Sequence, residues 1–422
     1  MKGVGYGFAE LGINCVEIFL RLHLLVFYTD HVGLNSSLAG LALGLAIFWD
    51  AIIDPIVGHY SDRLRMRRGE RYSLLPWGFL FLSLSILGLL NPPFLKGVWS
   101  QFCYLLFFSL LVNTAYTTLS VPYSAIVGDL ASGEHERSRL IGWRLAFGNI
   151  GAIFGIAIPS YFLISREYKP YGVTAWMIVA LLALGTFVSW FTARKFNRPP
   201  PKDSKEGGFS LTMPIKNKRF MPLLAAYFIA NMGLTFNSSL ALYFYRLRLK
   251  FSEEQVSLVL LVFLLVFTLS IPLWVYSVRF VSKRNALMAG VFVLGLTATF
   301  IYPFLPPKDV MWTLFFASGI SGALVGSAVL LESLLTDIVK DEEVRTGKDE
   351  LGLYFGVWKM IGKISRGLAL AVTGQILAWA RVDDPENSYF RLSLAFGPLV
   401  GCFFIGAVVI LWKLSNEGSA LK

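Results

Sequence analysis

Apolar residues run through the chain in long blocks separated by short polar interruptions, and twelve of those blocks are long enough to cross a bilayer. A hydrocarbon core of about 30 Å needs about 20 residues at 1.5 Å each. The pattern predicts helices near 10–29, 38–60, 73–91, 99–121, 140–164, 173–193, 221–245, 255–279, 285–304, 311–335, 351–380 and 388–413. Short segments of alternating polarity, the signature of a membrane β-barrel, are absent. The expected fold class is an all-α membrane protein with twelve transmembrane helices.

Composition agrees. The 422 residues are 55% hydrophobic and 15% charged, against about 45–50% and 25% for a soluble domain, and the mean hydropathy is +0.61. A disordered chain, a disulfide-stapled secreted domain and an ordinary cytosolic enzyme are excluded. No cleavable signal peptide is expected, because Met1-Lys2-Gly3 leads almost directly into the first span without an A-x-A site. Cys15, Cys103 and Cys402 all fall inside spans and read as packing residues, with no disulfide or metal site.

The net charge of +11 sits in loops between spans, so nucleic acid is the wrong partner to infer from it. Arg63, Arg65, Arg67, Arg68 and Arg71 follow the second block. Arg194, Lys195, Arg198, Lys202, Lys205, Lys216, Lys218 and Arg219 follow the sixth, and Lys283 and Arg284 the eighth. Loops on the other side are poorer, with Lys96, Lys308 and the exceptional group Arg246, Arg248 and Lys250. The positive-inside bias predicts a multi-pass protein of the cell membrane, the inner membrane in a bacterium, with both termini cytoplasmic.

Residues 194–219 form the longest polar stretch, with Pro199-Pro200-Pro201 and Gly207-Gly208 favouring an extended linker. Three parts are expected: a six-helix half over 1–193, a cytoplasmic linker over 194–219 that includes a short interfacial helix at Met213–Phe220, and a second six-helix half over 220–422. The halves look related. Asp129 precedes Arg137 by eight residues, Asp337 precedes Arg345 by eight, and the two pairs lie 208 residues apart. Parallel repeats related by an axis along the membrane normal are the arrangement of two-half transporters, which bind substrate between the halves.

An ionisable side chain at the bilayer centre costs about 2.5–3.5 kcal/mol on insertion scales, so those in the spans must face the interior. Asp50 and Asp54 are spaced i, i+4 and share one helix face. Two carboxylates this close repel unless a proton or cation sits with them. The pair is either a cation site or a structural pair satisfied by basic residues of other helices. Lys359, Lys363 and Arg366 form a basic stripe on the eleventh span. A cation there can neutralise the second-span carboxylates or meet an anionic substrate group. Asn14, Glu17 and Arg21 share a face of the first span, where Glu17 and Arg21 either pair with each other or meet substrate. Arg144 in the fifth span needs a partner or a ligand. Asn231, Thr235 and Ser238 make a neutral stripe that suits either substrate hydroxyls or helix packing. Trp143 and Trp358 can stack on a ligand or simply pack.

These residues carry a family resemblance. Gly58-His59-Tyr60-Ser61-Asp62-Arg63 and the basic run to Arg68-Gly69 resemble the loop signature of the major facilitator superfamily. The whole chain is similar to the glycoside–pentoside–hexuronide:cation symporters, the melibiose-permease type. The similarity lies in Tyr6-Gly7-Phe8, Tyr28-Thr29-Asp30-His31-Val32-Gly33-Leu34, Trp49-Asp50-Ala51-Ile52-Ile53-Asp54-Pro55, Tyr116-Thr117, Val121-Pro122-Tyr123, Asp337 with Arg345-Thr346-Gly347, and Lys363. The resemblance implies a major facilitator fold, with Asp50, Asp54 and Thr117 at the coupling-cation site, Lys363 near it, and Arg144 at the family's fifth-helix arginine. It implies a conformational role for Asp62 with Arg63, and the repeated pairs Asp129–Arg137 and Asp337–Arg345 are candidates for the same work. The substrate-facing candidates are Asn14, Glu17, Arg21, Tyr116, Ser120, Ser124, Arg144, Asn231, Trp358, Lys359 and Lys363. The family's usual second-helix Asn is Ile53 here, which removes an amide ligand and leaves both Na⁺ and H⁺ open. Asn14 and Ser120 stand where sugar-binding members have acids, and Ser124 where they have the stacking Trp. Lysolipid symporters of the same fold keep the helix 2 acids and the helix 11 lysine.

The function expected from all this is a cation-coupled symporter working by alternating access on a small organic solute, a glycoside, uronide or related compound. A lysophospholipid-like substrate is the alternative. The only ligands expected besides substrate and lipid are the coupling Na⁺ or H⁺, with no cofactor and no metal beyond a possible Na⁺ at Asp50 and Asp54. The working unit is expected to be a monomer. An intramembrane enzyme is disfavoured, since His23, His31, His59 and His135 fit neither H-x-x-x-x-D nor H-E-x-x-H and no Gly-x-Ser-x-Gly occurs. A sensor or scaffold of the same shape is the remaining class.

Overall fold

The structure, a computed structural model, describes residues 2–93, 97–162, 169–198, 200, 212–379 and 385–418. Among these residues there is no β-strand. The long helices are α1 Lys2–Val26, α2 Ser36–Arg68, α3 Leu74–Leu90, α4 Val98–Leu130, α5 Glu134–Phe162 and α6 Lys169–Phe196. They continue as α7 Phe220–Tyr243, α8 Glu253–Ser277, α9 Lys283–Phe300, the interrupted rod α10 Val310–Thr346, α11 Leu351–Trp379 and α12 Phe390–Trp412. A five-residue helix, Thr212–Lys216, stands where the short interfacial helix was expected. The proline and glycine pairs of the linker, apart from Pro200, lie outside the described residues.

Among the described residues, ten of these helices are long and apolar enough to cross a membrane by length and composition alone. The other two, α5 and α11, are 29 residues each. Arg139 and Arg144 lie in the first half of α5, and Lys359, Lys363 and Arg366 lie along α11. Several helices outrun their apolar blocks. The pattern ends α2 near 60 and α4 near 121, whereas the helices continue to Arg68 and Leu130. The added turns of α2 are polar and those of α4 mostly apolar, and the charged side chains Asp62, Arg65 and Asp129 within them are buried. Hydropathy marks where a helix meets lipid, and burial by neighbouring protein carries it further.

The chain packs as two compact units, Met1–Leu211 with Val339–Met360, and Thr212–Ile338 with Ile361–Lys422. In the first unit α1 lies against α5 and α6, α2 and α3 against α4, and α3 against α6. Glycine permits the closest of these approaches. A Cβ on Gly151 of α5 would collide with the backbone carbonyl of Leu11, and one on Gly12 with the backbone of Leu182 on α6. In the second unit α7 and α9 pack on α12, and α8 on α10. Its core is aromatic: Phe244 stacks on Phe396 at 4.3 Å, Tyr302 stacks on the same ring at 5.3 Å, and the Tyr302 hydroxyl lies 2.6 Å from Ser321 Oγ.

One local device occurs in both units. Past α1 the backbone widens into a π-helical turn at Phe27–His31, and past α7 into another at Phe244–Arg248. Each opens on Phe-Tyr. The exits match too: Leu34 N–H donates to the Tyr28 carbonyl at 2.9 Å, and Phe251 N–H to that of Tyr245 at 3.0 Å.

Replacing Gly151 with Val should lower the thermal stability of the detergent-purified protein by about 1–3 kcal/mol, the usual cost of overpacking. Gly40 has open space at its Cβ position, so Gly40→Ala should leave the midpoint unchanged or slightly raised. Differential scanning fluorimetry of the two variants reads the contrast.

Candidate functional site

In the first unit, α2 and α4 bring three polar side chains to one point. The i, i+4 spacing puts Asp50 and Asp54 on the same face of α2, both buried. Thr117 of α4, fully buried, places its Oγ1 2.7 Å from Oδ1 of Asp50 and 2.8 Å from Oδ1 of Asp54. A threonine hydroxyl owns one hydrogen and can donate it to only one of these oxygens at a time. The second short contact is favourable when the other carboxyl carries a proton and donates to Oγ1, or when a cation lies among the oxygens.

Other candidates cluster on α1, α4 and α5. The Tyr116 hydroxyl donates to Glu17 Oε2 at 2.9 Å, and Arg21 holds the other oxygen of Glu17 at 2.6 Å. The Glu17–Arg21 pairing foreseen from spacing is present, and Tyr116 joins it. Arg144 Nε lies 3.7 Å from Oε2 of Glu10 on α1. Glu10 was missed as a candidate, although it extends the face of Asn14 and Glu17 by one further helical step. Asn14 itself lies against Gly148 of α5. Lys359 donates to the Ser120 carbonyl at 2.9 Å, Ser124 Oγ bonds the same carbonyl at 2.8 Å, and Trp358 is buried. Trp143 is exposed.

In the second unit, the Asn231 amide donates to the Gly362 carbonyl at 3.0 Å and lies 2.9 Å from Ser365 Oγ, both on α11. Thr235 and Ser238 bond carbonyls of their own helix, those of Asn231 and Thr235. Of this stripe, Asn231 ties α7 to α11, while Thr235 and Ser238 bond within their own helix. Lys363 and Arg366 belong to the same unit.

A second cluster joins residues far apart in sequence but within the first unit. Arg71, fully buried, contacts Asp62 Oδ1 at 3.0 Å, Asp129 Oδ2 at 2.8 Å and Asp349 Oδ1 at 3.1 Å. Arg65 pairs with Asp129 and with Asp349. Asp62 also receives the backbone N–H groups of Gly352 at 2.6 Å and Leu353 at 2.7 Å. These are orphan donors of the first turn of α11, so Asp62 caps that helix from another helix and meets the positive end of its dipole. Burial alone would raise the Asp349 carboxyl. Arg71, then Arg65 and Lys340, outweigh it and hold the group below the ordinary carboxylate range, so Asp349 stays charged through neutral pH.

Of the expected conformational residues, Asp62 and Asp129 are in this cluster. Arg63 is exposed, and the buried guanidiniums are those of Arg65 and Arg71. Asp337 pairs with Lys283 at the start of α9, within the second unit. That repeats the pairing of Asp129 with Arg71 just ahead of α3. Arg345 makes a local pair with Glu342 at 2.6 Å, and Arg137 is half-buried. The role of Asp349 had no periodic signal, because it sits in a polar connection rich in other acids.

Residues 5–415 match the family described as MFS/sugar transport protein. The putative glycoside/cation symporter YagG of Escherichia coli K12 is 24% identical over 98% of this chain and 92% of its own. The sodium-dependent lysophosphatidylcholine symporter 1-A of Danio rerio is 23% identical over 93% of this chain and 81% of its own. Among solved structures, a bacterial homologue of the iron transporter ferroportin in its outward-facing state superposes with a TM-score of 0.69 at 11% identity, covering 98% of this chain and 99% of that one. That likeness concerns the fold alone.

Arg71→Leu should cost about 3–5 kcal/mol of stability, because it leaves buried carboxylates short of a partner. Arg68→Ala, on an exposed neighbour, should stay within about 0.5 kcal/mol. Thermal unfolding of the purified variants measures both. With a match spanning nearly its whole length, the chain belongs to the MFS/sugar transport protein family, as a glycoside–pentoside–hexuronide:cation symporter of the major facilitator superfamily.

Proposed function

We propose that Asp50, Asp54 and Thr117 bind the coupling cation and that this cation is H⁺. The observation that carries the reading is the single Thr117 hydroxyl within hydrogen-bond distance of both carboxylates. One proton on either carboxyl turns both short contacts into hydrogen bonds. Ile53, in place of an amide, removes an oxygen that Na⁺ would use. Binding neutralises one charge of the pair, and that change is coupled to substrate affinity. Linkage makes the coupling reciprocal, so substrate tightens the cation as much as the cation tightens substrate.

The substrate in this reading is a glycoside, uronide or similar polar solute. Support comes from YagG among the relatives and from the polar groups of Glu10, Asn14, Glu17, Arg21, Tyr116, Ser120, Ser124, Arg144 and Lys359 on neighbouring helices. Trp358 belongs with these in the first unit, and Lys363 and Asn231 are the candidates of the second unit, where Asn231 ties α7 to α11. The lysophosphatidylcholine symporter among the relatives makes a lysolipid the second substrate class to test. Transport proceeds by alternating access of the halves 1–193 and 220–422, joined by 194–219. Asp62, Arg65, Arg71, Asp129 and Asp349 latch one conformation, and Asp337 with Lys283 plays the matching part in the other half. Arg63, Arg137 and Arg345 lie at the margins of these clusters. The protein works as a monomer with both termini in the cytoplasm, the orientation supported by its basic loops.

A thermal-shift screen of sugars, uronates and lysolipids, with and without Na⁺ at two pH values, should find a stabilising solute whose effect depends on pH. In liposomes, Asp54→Asn should abolish accumulation of that solute against its gradient while leaving membrane insertion intact. Gradient-driven uptake at the wild-type level in Asp54→Asn, or stabilisation that follows Na⁺ and ignores pH, refutes the assignment.

A further inference from the structure

A cavity of about 270 Å³ opens where α3 begins and α6 ends, and Glu70 and Tyr72 on either side of Arg71 line it. It is lined by Glu70, Tyr72, Pro76, Trp77, Trp190 and Arg194. The two helices pack on each other, and Asn197 closes the same end by donating to the Gly69 carbonyl at 2.8 Å. The Arg194 guanidinium lies 5.8 Å from the centre of the Trp190 ring. Trp77 is largely exposed, at 58%. Glu70 and Arg194 both act electrostatically on the Tyr72 phenol, yet neither makes an ion pair among the described residues. Two opposite charges therefore line one cavity without neutralising each other.

Three features define what fits. The cavity lies at the end of two spans, the level at which Trp and Tyr collect in membrane proteins and at which arginine meets lipid phosphate. Its volume is below the roughly 300–1,000 Å³ of a small-molecule site, which suits a headgroup whose tails lie elsewhere. Its charges are paired in kind: a guanidinium that donates to phosphate oxygens, and a carboxylate that can only accept hydrogen bonds. A primary ammonium supplies donors to that carboxylate, a quaternary ammonium has none, and a glycerol headgroup has no charge to offer it.

We propose that this cavity is a binding site for a phospholipid whose headgroup carries a phosphate and a primary ammonium, phosphatidylethanolamine being the type. Arg194 takes the phosphate, and Glu70 with the Tyr72 hydroxyl takes the ammonium. Trp77 and Trp190 flank the glycerol and the first methylenes.

Native mass spectrometry of delipidated full-length protein, titrated separately with dioleoyl phosphatidylethanolamine, phosphatidylcholine and phosphatidylglycerol, tests this. The wild type should retain its first phosphatidylethanolamine about fivefold more tightly than either other lipid, as a partly exposed charge contact allows. Glu70→Gln should remove that preference and leave phosphatidylglycerol unchanged. Arg194→Ala, on the exposed end of α6, should weaken retention of all three. The proposal is overturned by equal retention of the three lipids in the wild type, or by a preference that survives both substitutions. It is also overturned if soluble glycerophosphoethanolamine binds as tightly as the lipid, since the acyl-bearing molecule is then not what the site selects.

Discussion

A hydrocarbon solvent offers a charge nothing to lean on, and this constraint organises the whole molecule. The chain carries acids and bases well inside its helical stretches, so each must be turned towards another part of the protein. That requirement draws α2 and α4 past the ends of their apolar blocks until Asp62, Arg65 and Asp129 meet. It also joins residues near 349 to helices at the other end of the sequence. Close backbone contact is the geometric counterpart. Gly7 and Gly151 let the backbones of α1 and α5 approach closely, and Glu10 and Arg144 face each other across that seam at 3.7 Å.

Charge is used in two opposite ways. Around Arg71 every acid has a fixed basic partner or a helix terminus, and such an arrangement is expensive to break on one side only. Around Thr117 one hydroxyl hydrogen faces two carboxylate oxygens. A locked cluster confers rigidity, and a shared hydrogen confers sensitivity to what the solution provides. Within the proposed cycle the second controls when the first lets go. Both draw side chains from α2 and α4.

Fold class was legible because lipid imposes it: stretches of about twenty mostly apolar positions, repeated along the chain, suit a bilayer and little else. The acid pair was legible because helical periodicity places Asp50 and Asp54 together, and the same arithmetic linked Glu17 to Arg21. What periodicity cannot give is the partner across helices. Nothing in the sequence distinguishes Arg65 or Arg71 from the exposed Arg63 and Arg68, since all belong to one basic run and only packing decides which are enclosed. Asp349 was hidden among other acids for the same reason. The stripe on α7 read as ligand-facing or adhesive, and the structure adds hydrogen bonds from Asn231 to Gly362 and Ser365 of α11 that no periodicity could show. Family resemblance supplied Thr117, which a pattern of apolar and polar positions passes over because a lone threonine in a span is common.

The widened turns after α1 and α7 fix a direction as well as a shape. An ordinary helix advances about 100° per residue, so absorbing one extra residue in a turn re-aims the exiting chain by that amount without adding a loop. Deleting a single residue from Phe27–His31 would regularise the helix and deliver the connection to the wrong azimuth, with α2 and its acids following it. The same correction, opening on Phe-Tyr both times, is built into each unit. The backbone thus preserves an echo between the two that their side chains have largely ceased to carry.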